Sequence, residues 1–405
     1  MEKTIFYIGN FKSSKVDAQF QLVMGNSHVL RNLGYKVVLI GNDNNESSHE
    51  DILMSKKEIH GFDVYNVSFN KSISDIFKMW FIHNDIKKVI SEYNKPEFII
   101  SYGSIGFAHQ LHLLAIFCKM NKIPFLINSV ELPSQEHGTK FERIIKKLDF
   151  SYIYWIIKNK ADGIIAISSY ICEYFSKFND CPKVIIPPLK EYRHDTIDIA
   201  ESEYLKIVYI GYPFPTDGRT VDEISYKDRL DIFVDALLKI QNQVPEFQFE
   251  IYGPTKEEYT RVVKRHQTVL ESNGNIIFNG HVNNKLAVSI LKSADFSVVF
   301  RKRDRMSMAG FSSKLVESIT NGTPVILTDT SDYKEYLEDG KHAFFVDENL
   351  GEKLYSELIS ILNMSRNKLL QIRKNCLELD KFNYRMYTDK VKLFLSNVVS
   401  RKLSK

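Results

Sequence analysis

Residues 296–327 read FSVVFRKRDRMSMAGFSSKLVESITNGTPVIL, and this stretch decides the fold class. An apolar, β-rich run ends at Phe300. A basic loop with Gly310 follows, and Ser312 or Ser313 has the side chain to open a helix. Gly322 stops that helix, because the residue just past a helix end favours a left-handed backbone that glycine adopts without strain. Residues 323–327 then start a second β-rich run. Strand, helix, strand is the repeating unit of parallel sheets. The helix start, with its free N–H groups beside Arg301, Arg305 and Lys314, suits an anion. Glu317 lies one turn beyond Lys314 on roughly the same face. A carboxylate there can accept hydrogen bonds from a ribose diol behind a diphosphate. A surface helix with a Lys–Glu pair and a solvated loop fits the same residues.

The same alternation runs outward in both directions. Strands are predicted at 4–8, 36–40, 63–67, 97–100, 124–128, 162–167 and 183–186, with helices such as 17–33 and 73–92 between them. The second half repeats the rhythm, with strands at 206–210, 247–252, 275–278, 296–300, 324–327 and 343–346. Pro187 and Pro188 end the last strand of the first half, since each lacks a donor and restricts its predecessor. The polar run that follows reads as a linker over 190–204. The expectation is an α/β protein of two doubly wound domains, 1–189 and 205–381, facing each other across a cleft. Ligands of such sheets bind beyond the carboxyl ends of the strands.

Composition narrows the function. The chain has 405 residues, enough for two domains at about 150 residues each. Lys plus Arg number 54 against 50 Asp plus Glu, too balanced for a dedicated nucleic-acid binder. The cysteines at 118, 172, 181 and 376 form no C-x-x-C pair, so neither a zinc knuckle nor a disulfide framework is expected, and a reducing cytoplasm is. The N-terminus lacks the pattern of a signal peptide. The long uncharged stretch 98–118 contains Ser101, Gly103, Gly106, His109, Gln110 and His112 and reads as strand, turn and helix rather than a membrane span. His109 and His112, three apart, lack a nearby acidic or cysteine partner and read as helix packing, so no metal site is expected.

The segment GFSSKLVESITNGTPVI resembles the C-terminal-domain signature of retaining glycosyltransferases of the GT-B fold, the large family-four type known as glycosyl transferases group 1. Further pieces occur in the matching order: Ile210-Gly211, Lys227-Asp228, Tyr252-Gly253-Pro254, Asn279-Gly280-His281-Val282 and the run 332–340. In the first half Gly9-Asn10, residues 26–34, Ala166 to Ser169 and Ile186 to Pro188 fit as well. The resemblance implies two Rossmann-like domains and a nucleotide-sugar donor, UDP- or GDP-linked, with no other cofactor and no metal. It implies that Lys227, Arg301 and Lys314 stabilise the departing diphosphate while Glu317 holds the ribose. Gly253, His281 and Val282 would frame the base, and Arg305, Gly310, Phe311, Ser312 and Ser313 the donor. Residues 382–405 would form a last helix that packs back on the first domain. One departure stands out. The signature has two glutamates, and Ala309 occupies the place of the first, which touches the donor sugar. Arg219, in an insertion before Lys227, reads as a solvated residue or a second phosphate ligand.

The first domain should supply the acceptor side. Gly9, Asn10, Lys12 and Lys15 follow the first strand and face the diphosphate, or form a plain polar loop. Glu131 ends a strand and positions an acceptor hydroxyl in preference to His137, and Ser101, Tyr102 and Gly103 sit at a neighbouring strand end. Residues 140–160 carry six basic and two acidic residues with several aromatics. Such a helix suits either the surface of an anionic membrane or an ordinary domain core. The function these features imply is retaining transfer of a sugar to a glycan or lipid-linked acceptor in bacterial surface-polysaccharide assembly, at the cytoplasmic face of the plasma membrane. An epimerase or hydrolase of the same fold, or a catalytically silent subunit, are the rival readings. The sequence leaves oligomeric state open.

Overall fold

The computed structural model describes the chain except residues 1, 14–17, 44–51, 68–78, 104–107, 133–139, 192–203, 217–220, 222, 224–225 and 405. Lys15, His137 and Arg219, and most of the 190–204 stretch, therefore lie outside the described residues. The chain divides into two compact units. Unit 1 comprises Met1–Glu191 and Asn383–Lys405, and unit 2 comprises Tyr192–Phe382.

Unit 1 is built on eight strands: β1 (Thr4–Gly9), β2 (Lys36–Asn42), β3 (Lys57–Ile59), β4 (Phe62–Val67), β5 (Phe98–Tyr102), β6 (Phe125–Ser129), β7 (Gly163–Ala166) and β8 (Lys183–Ile185). Their order is β3-β4-β2-β1-β5-β6-β7-β8, parallel throughout except for the edge strand β3. Helices cover both faces of such a sheet, so its central strands must be apolar on every residue rather than on alternate ones. The runs in β1 and β5 meet that demand: Ile5 to Ile8 and Phe98 to Ile100 are at most 1% exposed. The antiparallel β3 was not expected from the sequence. It is three residues long, paired through a turn in which His60 and Gly61 both take positive φ, and has no apolar run to signal it.

The chain returns to unit 1 for its last helix, Thr388–Leu403. Val391, Phe394, Leu395 and Val398 form its buried stripe, the spacing of one helix face. Phe394 and Val398 press against Gly163 in β7, where a Cβ would come within 2.9 Å and 2.8 Å of their side chains.

Unit 2 holds β9 (Leu205–Ile210), β10 (Phe247–Tyr252), β11 (Ile276–Gly280), β12 (Phe296–Val299), β13 (Val325–Thr328) and β14 (Ala343–Val346). All are parallel, in the order β11-β10-β9-β12-β13-β14. Numbered within the unit this is 3-2-1-4-5-6, the doubly wound dinucleotide-binding order, and the direction of winding reverses between β9 and β12. The corresponding reversal in unit 1 falls between β1 and β5. The carboxyl ends of those four strands are where each unit leaves a crevice for a ligand.

Gly163→Ala should destabilise unit 1 by about 1–3 kcal/mol, because the added methyl overpacks the seam with the last helix. Gly274→Ala, with open space around it, should shift the midpoint of chemical unfolding little. Denaturant titration of the two variants compares them directly.

Candidate active site

In unit 2 three loops stack at the sheet's carboxyl edge. Gly211 follows β9, Gly253 follows β10, and Gly280 ends β11, with φ of +133°, +142° and +69°. The Gly211 N–H donates to the Tyr252 carbonyl at 2.7 Å, and the Gly253 N–H to the Gly280 carbonyl at 2.8 Å. A Cβ on Gly253 would lie 2.1 Å from the Gly211 oxygen. Conformation requires glycine at all three, and space requires it at Gly211 and Gly253 as well. They let backbone, not side chains, line this edge. His281, exposed, and Val282, half-buried, lie just beyond Gly280.

Across the reversal point, Phe300 ends the run that contains β12, and Arg301 turns inward, 6% exposed. Its Nε donates to Asp228 Oδ1 at 2.7 Å. Lys314, in the first turn of the helix Ser313–Thr320, donates from Nζ to Asp228 Oδ2 at 2.5 Å and to the Tyr209 hydroxyl at 2.8 Å. The Tyr209 hydroxyl in turn donates to Asp228 Oδ2 at 2.7 Å. The lysine stem crosses directly over Gly211, where a Cβ would meet Lys314 Cε at 2.5 Å. Two cations thus converge on one carboxylate, leaving a local excess of one positive charge at a helix N-terminus.

The electrostatics follow from that crowding. Burial raises the Asp228 pKa, but Lys314 and Arg301 outweigh it and hold the carboxyl well below the usual range. Burial favours a neutral Arg301, yet the charge of Asp228 keeps its guanidinium protonated. Burial pushes Lys314 down to about 8; Asp228 opposes the shift, while Arg301 and Lys227 add to it by repulsion. Its side chain retains 23% exposure, so the ammonium is still within reach of a ligand.

The structure corrects the sequence reading in several particulars. Lys227 and Asp228 lie ahead of the next helix. That helix is Leu230–Ile240, and the two residues sit in a turn held by backbone bonds to the Pro213 carbonyl. Lys227 is exposed, whereas Asp228, which the sequence reading did not single out, is the buried centre of the network. The basic loop contains a short helix, Arg305–Ala309, capped by Asp304 and carrying Arg305 exposed on its surface. Gly310 is extended, with φ −81° and ψ 169°, so its backbone does not require glycine. Ser312 occupies the N-cap position of the next helix, but its side chain makes no capping bond and is buried without a hydrogen-bond partner. Ser313 is the first helical residue and is half-buried, as is Glu317 one turn beyond Lys314. Phe311 is 8% exposed and packs edge-on against Tyr333 and Tyr336. Ala309 is fully buried.

Unit 1 has its own crevice at the β1/β5 reversal. Gly9 lies so close to β5 that a Cβ would meet the Tyr102 oxygen at 2.1 Å, and the Asn10 N–H donates to that oxygen at 3.1 Å. A cavity of about 200 Å3 opens here, lined by Asn10, Gln19, Tyr102, Gly103, Glu131 and Tyr154 among others. Beneath it, Asn26 Nδ2 donates to the Tyr7 hydroxyl, which donates to Asn128 Oδ1 at 2.8 Å, fixing the buried amide. Asn10, Tyr102, Gly103 and Glu131 all line this cavity, with Glu131 exposed at the rim. Lys12 lies near the strand end but does not line this cavity. His112 meets Tyr152 through Nδ1 and Trp155 edge-on, a packing role. Among the described residues no group of three His, Cys, Asp or Glu side chains gathers to hold a metal ion.

Two sheets wound in this order, each with a glycine-edged crevice at its reversal point, are the architecture of the GT-B fold. Residues 220–378 match the profile of glycosyl transferases group 1. Sucrose-phosphate synthase from Thermosynechococcus elongatus is similar over 99% of this chain and 100% of its own, with a TM-score of 0.70 and 14% identity. Anabaena Alr3699/HepE in complex with UDP aligns over 98% and 100% with a TM-score of 0.63 and 14% identity. The catalytic domain of starch synthase IV from Arabidopsis thaliana, bound to ADP and acarbose, aligns over 99% and 100% with a TM-score of 0.68 and 10% identity. At such identities the likeness is one of fold. No curated protein matches the sequence.

Replacing Asp228 by Asn leaves two buried cations without their counter-charge and should cost about 3–5 kcal/mol of stability, measured by chemical denaturation. The depressed Lys314 pKa gives a second expectation. The folded chain binds this proton less tightly than the unfolded chain, whose lysine titrates near its ordinary 10.5. The cost of burying the ammonium is therefore full below about pH 8 and disappears as pH rises towards 10.5, so this group makes stability increase across that window. The charge itself is lost as pH passes about 8. Affinity for a nucleoside diphosphate should accordingly fall between pH 7.5 and 9 by up to tenfold per unit, and Lys314→Arg should flatten the profile in calorimetric titrations.

Proposed function

We propose that the protein transfers a sugar, with retention of anomeric configuration, from a UDP- or GDP-linked donor to a glycan or lipid-linked acceptor in bacterial surface-polysaccharide assembly. The observation that carries this reading is the convergence of Lys314 and Arg301 on one buried carboxylate at the start of the helix Ser313–Thr320. As the C1–oxygen bond breaks, its electron pair passes to the diphosphate, and fixed cations and helix N–H groups stabilise that growing charge. Lys227 adds a further cation from the adjacent turn, and Glu317 holds the ribose hydroxyls. The acceptor hydroxyl attacks C1 from the face the diphosphate leaves, and its proton goes to the departing phosphate oxygen. Glu131, exposed at the rim of the unit 1 crevice, is the candidate for binding an acceptor hydroxyl. The likeness to a neighbour crystallised with UDP supports a nucleotide-linked donor.

The helix Lys140–Lys160 supports a lipid-linked acceptor. Its first half exposes Ile144, Ile145 and Leu148 among Arg143, Lys146 and Lys147, the composition of a helix lying in an anionic interface. Its second half turns inward, with Ile156 and Ile157 buried, and Phe150, Ile153 and Tyr154 line the Glu131 cavity. One helix thus joins the acceptor crevice to a surface suited to lipid. No helix among the described residues is long and apolar enough to cross a membrane.

The test is calorimetric titration with UDP and GDP, followed by turnover of the bound nucleotide's common sugar conjugates and proton NMR of the product anomer. Lys314→Ala and Glu317→Ala should each lower kcat/KM by about a hundredfold or more, the scale of losing one preorganised charge contact. Unchanged turnover in both variants, or an inverted product, overturns the reading. Conversion of donor in the absence of acceptor as the main reaction would instead indicate hydrolysis or epimerisation.

A further inference from the structure

A second cavity in unit 1, of about 840 Å3, opens at the amino ends of β5, β6 and β7. This is the end of the sheet opposite to the Glu131 crevice, so the cavity stands apart from the proposed reaction. Its size is that of a site for a small organic ligand rather than for a bare ion. Part of its wall is apolar: Pro124 and Phe125 at the start of β6, and Val399 and Leu403 from the last helix. Leu403 is 83% exposed.

The rest of the lining is cationic. Lys95, Lys119, Lys122, Lys160 and Lys402 face only two acids, Glu97 and Asp162. Both acids are already engaged. Asp162 Oδ2 accepts from Lys402 Nζ at 2.8 Å and from the Phe125 N–H at 2.9 Å, and Glu97 lies 3.7 Å from Lys3. Among the described residues Lys95, Lys119 and Lys122 have no acidic partner. Lys122 moreover holds a left-handed backbone, φ +56°, in the turn that its N–H closes onto the Lys119 carbonyl. Glycine would fit that turn with less strain. The lysine there is unexplained by the fold.

We propose that this cavity binds an anionic amphiphile, an apolar chain ending in a phosphate or carboxylate. The chain lies between Phe125 and the last helix, and Lys119, Lys122 and Lys160 surround the head group. Charge complementarity selects the head, and the wall formed by Val399 and Leu403 selects the tail. Because that wall belongs to the helix returning from unit 2, an occupied cavity ties this helix more firmly to unit 1.

The experiment is calorimetric titration of the full chain with dodecyl phosphate below its micelle concentration, alongside dodecanol and inorganic phosphate, with thermal melts of each mixture. Dodecyl phosphate should bind and raise the melting temperature, at an affinity at least tenfold above either control. Lys122→Gly relaxes the backbone and so should not weaken the fold, yet combined with Lys119→Gln it should lower the affinity at least tenfold. Val399→Trp, which obstructs the tail's place beside the last helix, should lower the affinity at least tenfold. Absence of binding, equal binding of dodecanol or inorganic phosphate, or wild-type affinity in both variants overturns the proposal. Sedimentation with phosphatidylglycerol vesicles identifies the source. Vesicle binding lost in Val399→Trp means a bilayer lipid, and vesicle binding indifferent to that change means a free amphiphile.

Discussion

The geometry of unit 2's site depends on one buried carboxylate. Asp228 is 1% exposed and unable to stay ionised there without cations, and Arg301 and Lys314 could not stay buried without it. The three groups come from separate segments: a turn before a helix, the end of a strand, and the first turn of another helix. Their mutual charge requirement fixes those segments against one another more stringently than apolar contact does, because a displaced partner leaves a bare charge in a low-dielectric interior. Tyr209, on β9, ties the cluster to the sheet. The result is a helix N-terminus whose excess positive charge is held in place before any ligand arrives. Preorganisation of this kind is what gives electrostatic stabilisation its catalytic value.

That cluster works because of what the glycines leave out. Gly211 admits the stem of Lys314, and Gly253 admits the backbone of Gly211. Side chains at either place would push the loops apart and separate the lysine from its carboxylate. The strand order then sets the location: both crevices fall where the winding reverses, between β9 and β12 and between β1 and β5. The chemistry is local, but its position is a property of topology.

Much of the fold was legible because parallel sheets write themselves in continuous apolar runs. Residues 247–252 and 343–346 were expected as strands with the bounds the structure gives them. The helix 313–320 was legible from its serines and from Gly322, whose φ is +77°. What escaped was written in other terms. The strand β3, of sequence KEI, has no apolar run, since it is a solvated edge. The short helix Arg305–Ala309 depends on a reciprocal Asp304–Ser307 cap, which a reading for basic charge passed over. Asp228 escaped for a deeper reason. It lies 73 positions from Arg301 and 86 from Lys314, and nothing local tells an aspartate in a turn that two distant cations will enclose it. The pairing exists only in three dimensions.

The return of the last helix to unit 1 bears on how the protein is made. Lys190 and Asn383 are bridged as neighbours, so unit 2 is an insertion entered and left at adjoining points of unit 1. The segment Tyr192–Phe382 is thus enclosed by the sequence of unit 1, whose strands precede it and whose helix Thr388–Leu403 follows it. Domains commonly mature in the order of synthesis, but here the first unit stays incomplete, with the seam along Gly163 open, until a helix encoded after the second unit is available. A chain lacking Thr388–Leu403 therefore leaves the apolar seam of unit 1 uncovered. The step that completes unit 1 is the docking of that helix.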